Sequence, residues 1–128
     1  MAGNRIEKIL IIDNDALLAS GLQKLLVRSG FVVHTAGNGR LGLKHLETEP
    51  ADLVITDIFM EEMEGLETIL MLKRRFPGVL IVAMSGGSRL VGMDCLEMAR
   101  ALGADATLNK PVPFDTLAQT IRGLVPAG

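Results

Sequence analysis

The sequence predicts an α/β protein, a doubly wound five-stranded parallel sheet with helices on both faces in a three-layer αβα sandwich. Continuous apolar runs recur five times, at roughly 8–12, 31–35, 52–56, 79–84 and 105–109. Unbroken runs of this kind suit strands buried on both faces, whereas alternating runs suit half-exposed ones. The intervals between them carry apolar residues at helical spacing, and strand–helix alternation builds parallel sheets with right-handed crossovers. Four of the runs also end in a polar group: Asp13, Asp57, Ser85 and Lys110-Pro111.

Each element has its own signals. Ile9-Leu10-Ile11-Ile12 ends at Asp13, Asn14 and Asp15, residue types that cap a following helix well. Leu18, Leu22, Leu25 and Leu26 predict the buried face of a first helix that stops near Ser29-Gly30. Leu43 and Leu46 mark a short second helix, closed by Glu49-Pro50. Leu66, Ile69, Leu70 and Phe76 mark a third, which Pro77-Gly78 terminates. Leu90 to Leu102 predicts a fourth helix with Gly103 as its stop. Phe114, Leu117, Ile121 and Leu124 predict a fifth, and Pro113 is compatible with its first turn. There is no internal repeat, low-complexity tract or linker, and only Pro126, Ala127 and Gly128 follow the fifth helix closely. One domain over residues 1–128, with a core at about 7–125, is expected.

Composition narrows the function classes. The chain has 128 residues, long enough to bury most of its apolar surface as one domain. Hydrophobic residues are 48% and charged residues 22%, a globular balance, and with 3% aromatics the core must be built from aliphatic side chains and Met. A net charge of −2 and a pI near 5.6 give no basic footprint for nucleic acid. No apolar run approaches the ~18 residues of a membrane span, and the start is no signal peptide, so a cytoplasmic protein is expected. The single cysteine, Cys95, cannot form an intramolecular disulfide and reads as a small hydrophobe on a helix.

The chemistry lies at the strand ends. In an open parallel sheet the carboxyl ends of the strands converge on one crevice, where ligands bind. Two carboxylates, a hydroxyl and a lysine gathered there suit Mg²⁺ and phosphoryl chemistry. Carboxylates ~4–5 Å apart at an effective dielectric near 20 repel by roughly 3–4 kcal/mol, which makes such a site avid for a divalent cation.

Four segments, ILIIDND (from Ile9), DLVITDIFMEEMEGLETI (from Asp52), VAMSGG (from Val82) and GADATLNKPVPFDTL (from Gly103), together resemble the receiver domain of two-component response regulators. The resemblance spans about residues 7–125 and implies a flavodoxin-like strand order 2-1-3-4-5. It implies that Asp57 is the phosphoacceptor, supplied by a sensor histidine kinase or histidine phosphotransfer protein. Asp13 and Asn14 match the pair that holds Mg²⁺ (or Mn²⁺) together with Asp57 and the main-chain carbonyl of Phe59. Ser85 matches the hydroxyl that bonds a phosphoryl oxygen, and Lys110 the lysine that pairs with phosphate and acceptor. Lys110-Pro111 is a candidate cis peptide. A stand-alone receiver of this kind would catalyse only its own phosphorylation and dephosphorylation, and would signal by changing its contacts with a downstream protein.

The sequence departs from the family pattern at four places. Asn14 replaces an acid, which removes a charge near the metal; Asp15 is a possible compensation. Glu61 replaces a proline after the acceptor. Thr107 occupies the usual aromatic switch position, so ring rotation cannot be the output device. Ser85 to Gly103 looks longer than usual, and Gly86, Gly87 and Gly92 suggest a mobile loop there. Two other functions are compatible with parts of the pattern. Asn14 and Thr107 suit a phosphorylation-independent binding module with a receiver fold. Ile11-Ile12-Asp13-Asn14-Asp15 also fits the haloacid-dehalogenase phosphatase motif, with Asp13 as nucleophile and Asp15 as acid/base, but that leaves Asp57 unexplained. A flavodoxin lacks support because the hydroxyl-rich phosphate loop and flavin-stacking aromatics are absent. Met60 and Met63 read as gap-fillers, and His34 and His45 as isolated solvated side chains rather than ligands. Glu47, Glu49, Lys73, Arg74 and Arg75 read as ordinary surface.

Overall fold

The computed structural model describes residues 5–58, 64–86, 89–90 and 93–124. In chain order the elements are β1 (Lys8–Ile12), α1 (Ala16–Arg28), β2 (Val32–Ala36), α2 (Gly39–Thr48), β3 (Leu53–Asp57), α3 (Glu64–Arg75) and β4 (Leu80–Ser85). There follow β5 (Arg89–Leu90), β6 (Met93–Asp94), α4 (Cys95–Leu102), β7 (Ala106–Asn109) and α5 (Phe114–Leu124). The main sheet is parallel, in the order β2-β1-β3-β4-β7. Counting only its own strands, this is the order 2-1-3-4-5.

Side-chain alternation splits each central strand between two cores. Leu10, Ile12, Val54, Ile81 and Ala83 face one side, where Leu46 of α2, Ile69 and Leu72 of α3 and Ala99 of α4 cover them. Ile9, Ile11, Leu53, Ile55 and Val82 face the other, against Ala19 and Leu26 of α1 and Leu117 and Ile121 of α5. Burial on both faces explains the unbroken apolar runs of β1, β3 and β4. It does not extend to β2, an edge strand in which only Val33 is fully buried, nor to the half-buried β7.

Three helical readings need correction. Of the predicted α1 face, Leu22 and Leu26 pack on the core together with Ala19, while Leu18 and Leu25 are 42% and 39% exposed. On α3, Leu66, Ile69 and Leu72 are buried and Leu70 is exposed. The fourth helix does not begin at Leu90. Residues 89–90 and 93–94 form a two-stranded antiparallel ribbon, and α4 starts only at Cys95. A short apolar stretch cannot be assigned to helix or strand by periodicity alone, and glycine disfavours extending a helix through position 92.

The predicted stops are confirmed by backbone conformation. Gly30 and Gly103 follow α1 and α4 with φ of 103° and 121°, values that L side chains rarely adopt. Asp15, rather than Asp13 or Asn14, is the N-cap of α1; its carboxylate accepts from Leu18 N–H at 3.1 Å.

Candidate functional site

The ends of β1, β3, β4 and β7 meet because backbone bonds carry each strand just past the sheet. Asp13 N–H donates to Ala36 C=O at 3.0 Å, Ile58 N–H to Met84 C=O at 2.9 Å and Lys110 N–H to Ser85 C=O at 2.7 Å. Asp57 is therefore the last residue of β3, in register with Met84, and Ser85 follows one position further along β4. Lys110 lies just beyond β7, at a cis peptide bond to Pro111.

Lys110 Nζ donates to Asp13 Oδ2 and to Asp57 Oδ2, both at 3.0 Å. The two carboxylate side chains are only 1% and 7% exposed, and the lysine side chain 21%. The second oxygen of Asp13 accepts from Asp15 N–H at 2.9 Å, which holds the β1–α1 turn. Burial alone would lower the Lys110 pKa, but the hydrogen bonds to Asp13 and Asp57, with the charge of both, raise it above its ordinary 10.5. Among the described groups, two carboxylates share this one ammonium in a buried crevice.

Ser85 is fully buried at the neighbouring strand end, and Asn14 is exposed beside Asp13. Phe59, Met60, Glu61 and Met63 lie outside the described residues, as do Gly87 and Gly92, so the expected carbonyl ligand and the loop readings at those positions lie there too. Asp15 is committed to the α1 cap. Thr107 accepts from the Arg100 guanidinium at 2.8 Å, beside a cavity of about 440 Å³ lined by Leu96, Glu97, Arg100, Ala101 and Thr107.

Gly65 was missed in the sequence. It sits in the first turn of α3 so close to Ile58, the residue after Asp57, that an added Cβ would lie 2.6 Å from the Ile58 carbonyl carbon. The backbone beside Asp57 is thus pressed against α3. Only a glycine flanked by helix-forming residues signals this from sequence, and that signal is weak.

The fold and the strand-end cluster define a class, and sequence comparison gives the same one. The family described as the response regulator receiver domain matches residues 9–122. The chain belongs to that family. It is 35% identical to the transcriptional regulatory protein ZraR of Klebsiella oxytoca, over 94% of this chain and 26% of that protein. It is also 35% identical to the probable transcriptional regulatory protein SilR of Salmonella typhimurium, over 94% of this chain and 52% of that one. The chain therefore spans about a quarter to a half of these curated relatives. Among solved structures, a CheY-like receiver domain protein from Methanospirillum hungatei superposes with a TM-score of 0.82 at 28% identity, covering 94% of each chain. The response regulator protein TrrA from Thermotoga maritima, solved in complex with Mg(2+)-BeF, gives 0.79 at 26% identity, covering 94% of this chain and all of that one.

Proposed function

We propose that this receiver accepts a phosphoryl group on Asp57 from a histidine kinase or histidine phosphotransfer protein in a Mg²⁺-dependent reaction. The observation that carries the reading is the buried Lys110 ammonium shared by Asp13 and Asp57 at 3.0 Å each. A carboxylate oxygen of Asp57 attacks phosphorus, an O–P bond forms, the donor's N–P bond breaks, and its electron pair stays with the departing imidazole. Such transfer needs mainly in-line positioning and cancellation of charge on the phosphoryl oxygens. Lys110 supplies one cation to the incoming phosphate. Ser85, at the adjoining strand end, is the proposed hydroxyl donor to a phosphoryl oxygen.

The residues present fit a hard divalent cation. Asp13 and Asp57 offer carboxylate oxygens, the donors Mg²⁺ prefers, in a buried crevice. Asn14 and the Phe59 carbonyl are the further proposed ligands. When bound, the ion supplies additional positive charge against the phosphoryl oxygens. Replacing an acid by Asn14 keeps an oxygen donor and loses a charge, so binding is weaker than with an acid there.

The haloacid-dehalogenase reading has no support: its acid/base, Asp15, caps α1. A phosphorylation-independent binding role draws on the Arg100–Thr107 bond, which occupies the position of the missing aromatic switch.

Intact-mass measurement after treatment with acetyl phosphate and Mg²⁺ tests the proposal. One added phosphoryl group is expected, absent with EDTA or in Asp57→Asn. Unchanged mass in the wild type would favour the phosphorylation-independent module, and labelling that persists in Asp57→Asn would move the acceptor elsewhere.

A further inference from the structure

At the edge of the sheet, away from the carboxylate–lysine cluster, β2 and the end of α2 bring three ligating side chains together. His34 is the register partner of Leu10, which belongs to the core on the α2 side. Side-chain alternation therefore turns His34 toward α2. There His45 lies in the last turn, and Glu49 closes it by donating its N–H to the His45 carbonyl at 2.9 Å. The rings of His34 and His45 have centroids 4.9 Å apart. His34 Nε2 is 3.9 Å from a Glu49 carboxylate oxygen, and one ligand atom from each of the three residues lies within 4.8 Å of the others. The two histidines, isolated in the sequence, are neighbours in the fold.

We infer that His34, His45 and Glu49 form a divalent transition-metal site, with Zn²⁺ the ion of best chemical fit. Two imidazoles and one carboxylate are a donor set for Zn²⁺ and its neighbours in the first transition row, whereas Mg²⁺ prefers oxygen alone. Donors around a tetrahedral ion at about 2.0–2.1 Å lie roughly 3.3 Å apart. The observed separations, within 4.8 Å, would have to close by about 1.5 Å at most. His34 and Glu49 are exposed and His45 half-buried, so an ion and a water as fourth ligand have open access. An exposed histidine–carboxylate contact at 3.9 Å is worth little as an ion pair, which leaves the convergence of all three side chains without a charge-pairing explanation. A bound ion would clasp the end of α2 to β2, an edge strand paired with β1 alone.

The test titrates metal-free protein with Zn²⁺ against a chromophoric chelator, with NMR of the histidine rings in parallel. With excess Mg²⁺ present to occupy the strand-end cluster, one Zn²⁺ per chain is expected, with both ring signals shifted and the thermal midpoint raised. His34→Gln and Glu49→Gln are each expected to weaken binding about tenfold or more, the loss that even an outer-shell partner can cause. Their metal-free midpoints report whether they fold. Asp57→Asn should bind Zn²⁺ as the wild type does, which separates this site from the strand-end cluster. Absence of a one-to-one complex, binding that survives both single substitutions, or binding lost in Asp57→Asn overturns the inference.

Discussion

Where the parallel strands begin, Asp52 accepts from the N–H groups of Glu7 and Lys8 at 2.9 Å each, and Asp105 accepts from Ile81 N–H at 2.8 Å. Where they finish, Asp13 and Asp57 are buried and share one lysine. The first pair does what strand starts require. Leading N–H groups lack partners, and a surface carboxylate satisfies them while keeping its contact with water. The second pair does something folding does not require, since desolvating two like charges is costly even where a lysine stands between them. Aspartates at the entry end satisfy strand N–H groups; aspartates at the exit end converge on Lys110, where the proposed phosphoryl chemistry would take place.

The sharpest way to break the comparison is to remove one aspartate from each end. Asp13→Ala should slow Mg²⁺-dependent phosphoryl uptake by about a hundredfold, the scale of losing one preorganised charge-stabilising group. Asp52→Ala should leave uptake unchanged and lower stability by about 1–2 kcal/mol, read as a shift in urea midpoint. Equal effects of the two on uptake would erase the distinction.

Gly65 tests how closely the exit end is built. Gly→Ala within a helix is ordinarily stabilising. Here the new Cβ would meet the Ile58 backbone, so Gly65→Ala should destabilise by about 1–3 kcal/mol, as overpacking does. Urea unfolding measures the cost, and NMR shifts centred on Ile58 and Asp57 would locate it. A neutral or stabilising result would mean that α3 does not press on the end of β3.

Asn14→Asp should sharpen the contrast by restoring a charge at the exit end. The gain is on the order of 1–2 kcal/mol, about tenfold or somewhat more in Mg²⁺ affinity by calorimetry. Flat affinity would take Asn14 out of the coordination shell.

The smallest effect concerns pH. The Lys110 pKa is raised above 10.5 in the folded protein, so the folded state holds that proton more tightly than the unfolded chain does. The resulting stability is fully present below the unfolded value and is lost as pH rises through the folded one. The stability difference between wild type and Lys110→Met should therefore stay level from about pH 7 to 9 and shrink only above about 10.5, as urea unfolding at each pH would show. A difference that changes near neutral pH would point to another group.

Much of this was legible in the residues because it rests on local pattern. All five sheet strands were placed to within about one residue by apolar runs, and the ends of α1 and α4 by glycines whose positive φ the structure shows. Asp13, Asp57, Ser85 and Lys110 stood out because each closes such a run. Failures came where pattern was locally ambiguous. Leu18 and Leu25 have the right residue type and spacing for a buried stripe, yet they are exposed, and Ala19 joins the expected Leu22 and Leu26 on the face that α1 packs against the sheet. Residues 89–94 were apolar enough to read as helix, and only strand pairing decided otherwise.

The sequence by itself determined the αβα alternation, the strand ends that carry polar groups and the departures at Asn14 and Thr107, because hydrophobic period and residue identity are properties of the chain. Tertiary structure decided which distant groups touch. It placed Lys110 between two aspartates, pressed Gly65 against Ile58 and brought His34 to His45 and Glu49. Those contacts join residues on different elements, and their distances follow from strand order, register and helix packing, which no local pattern encodes.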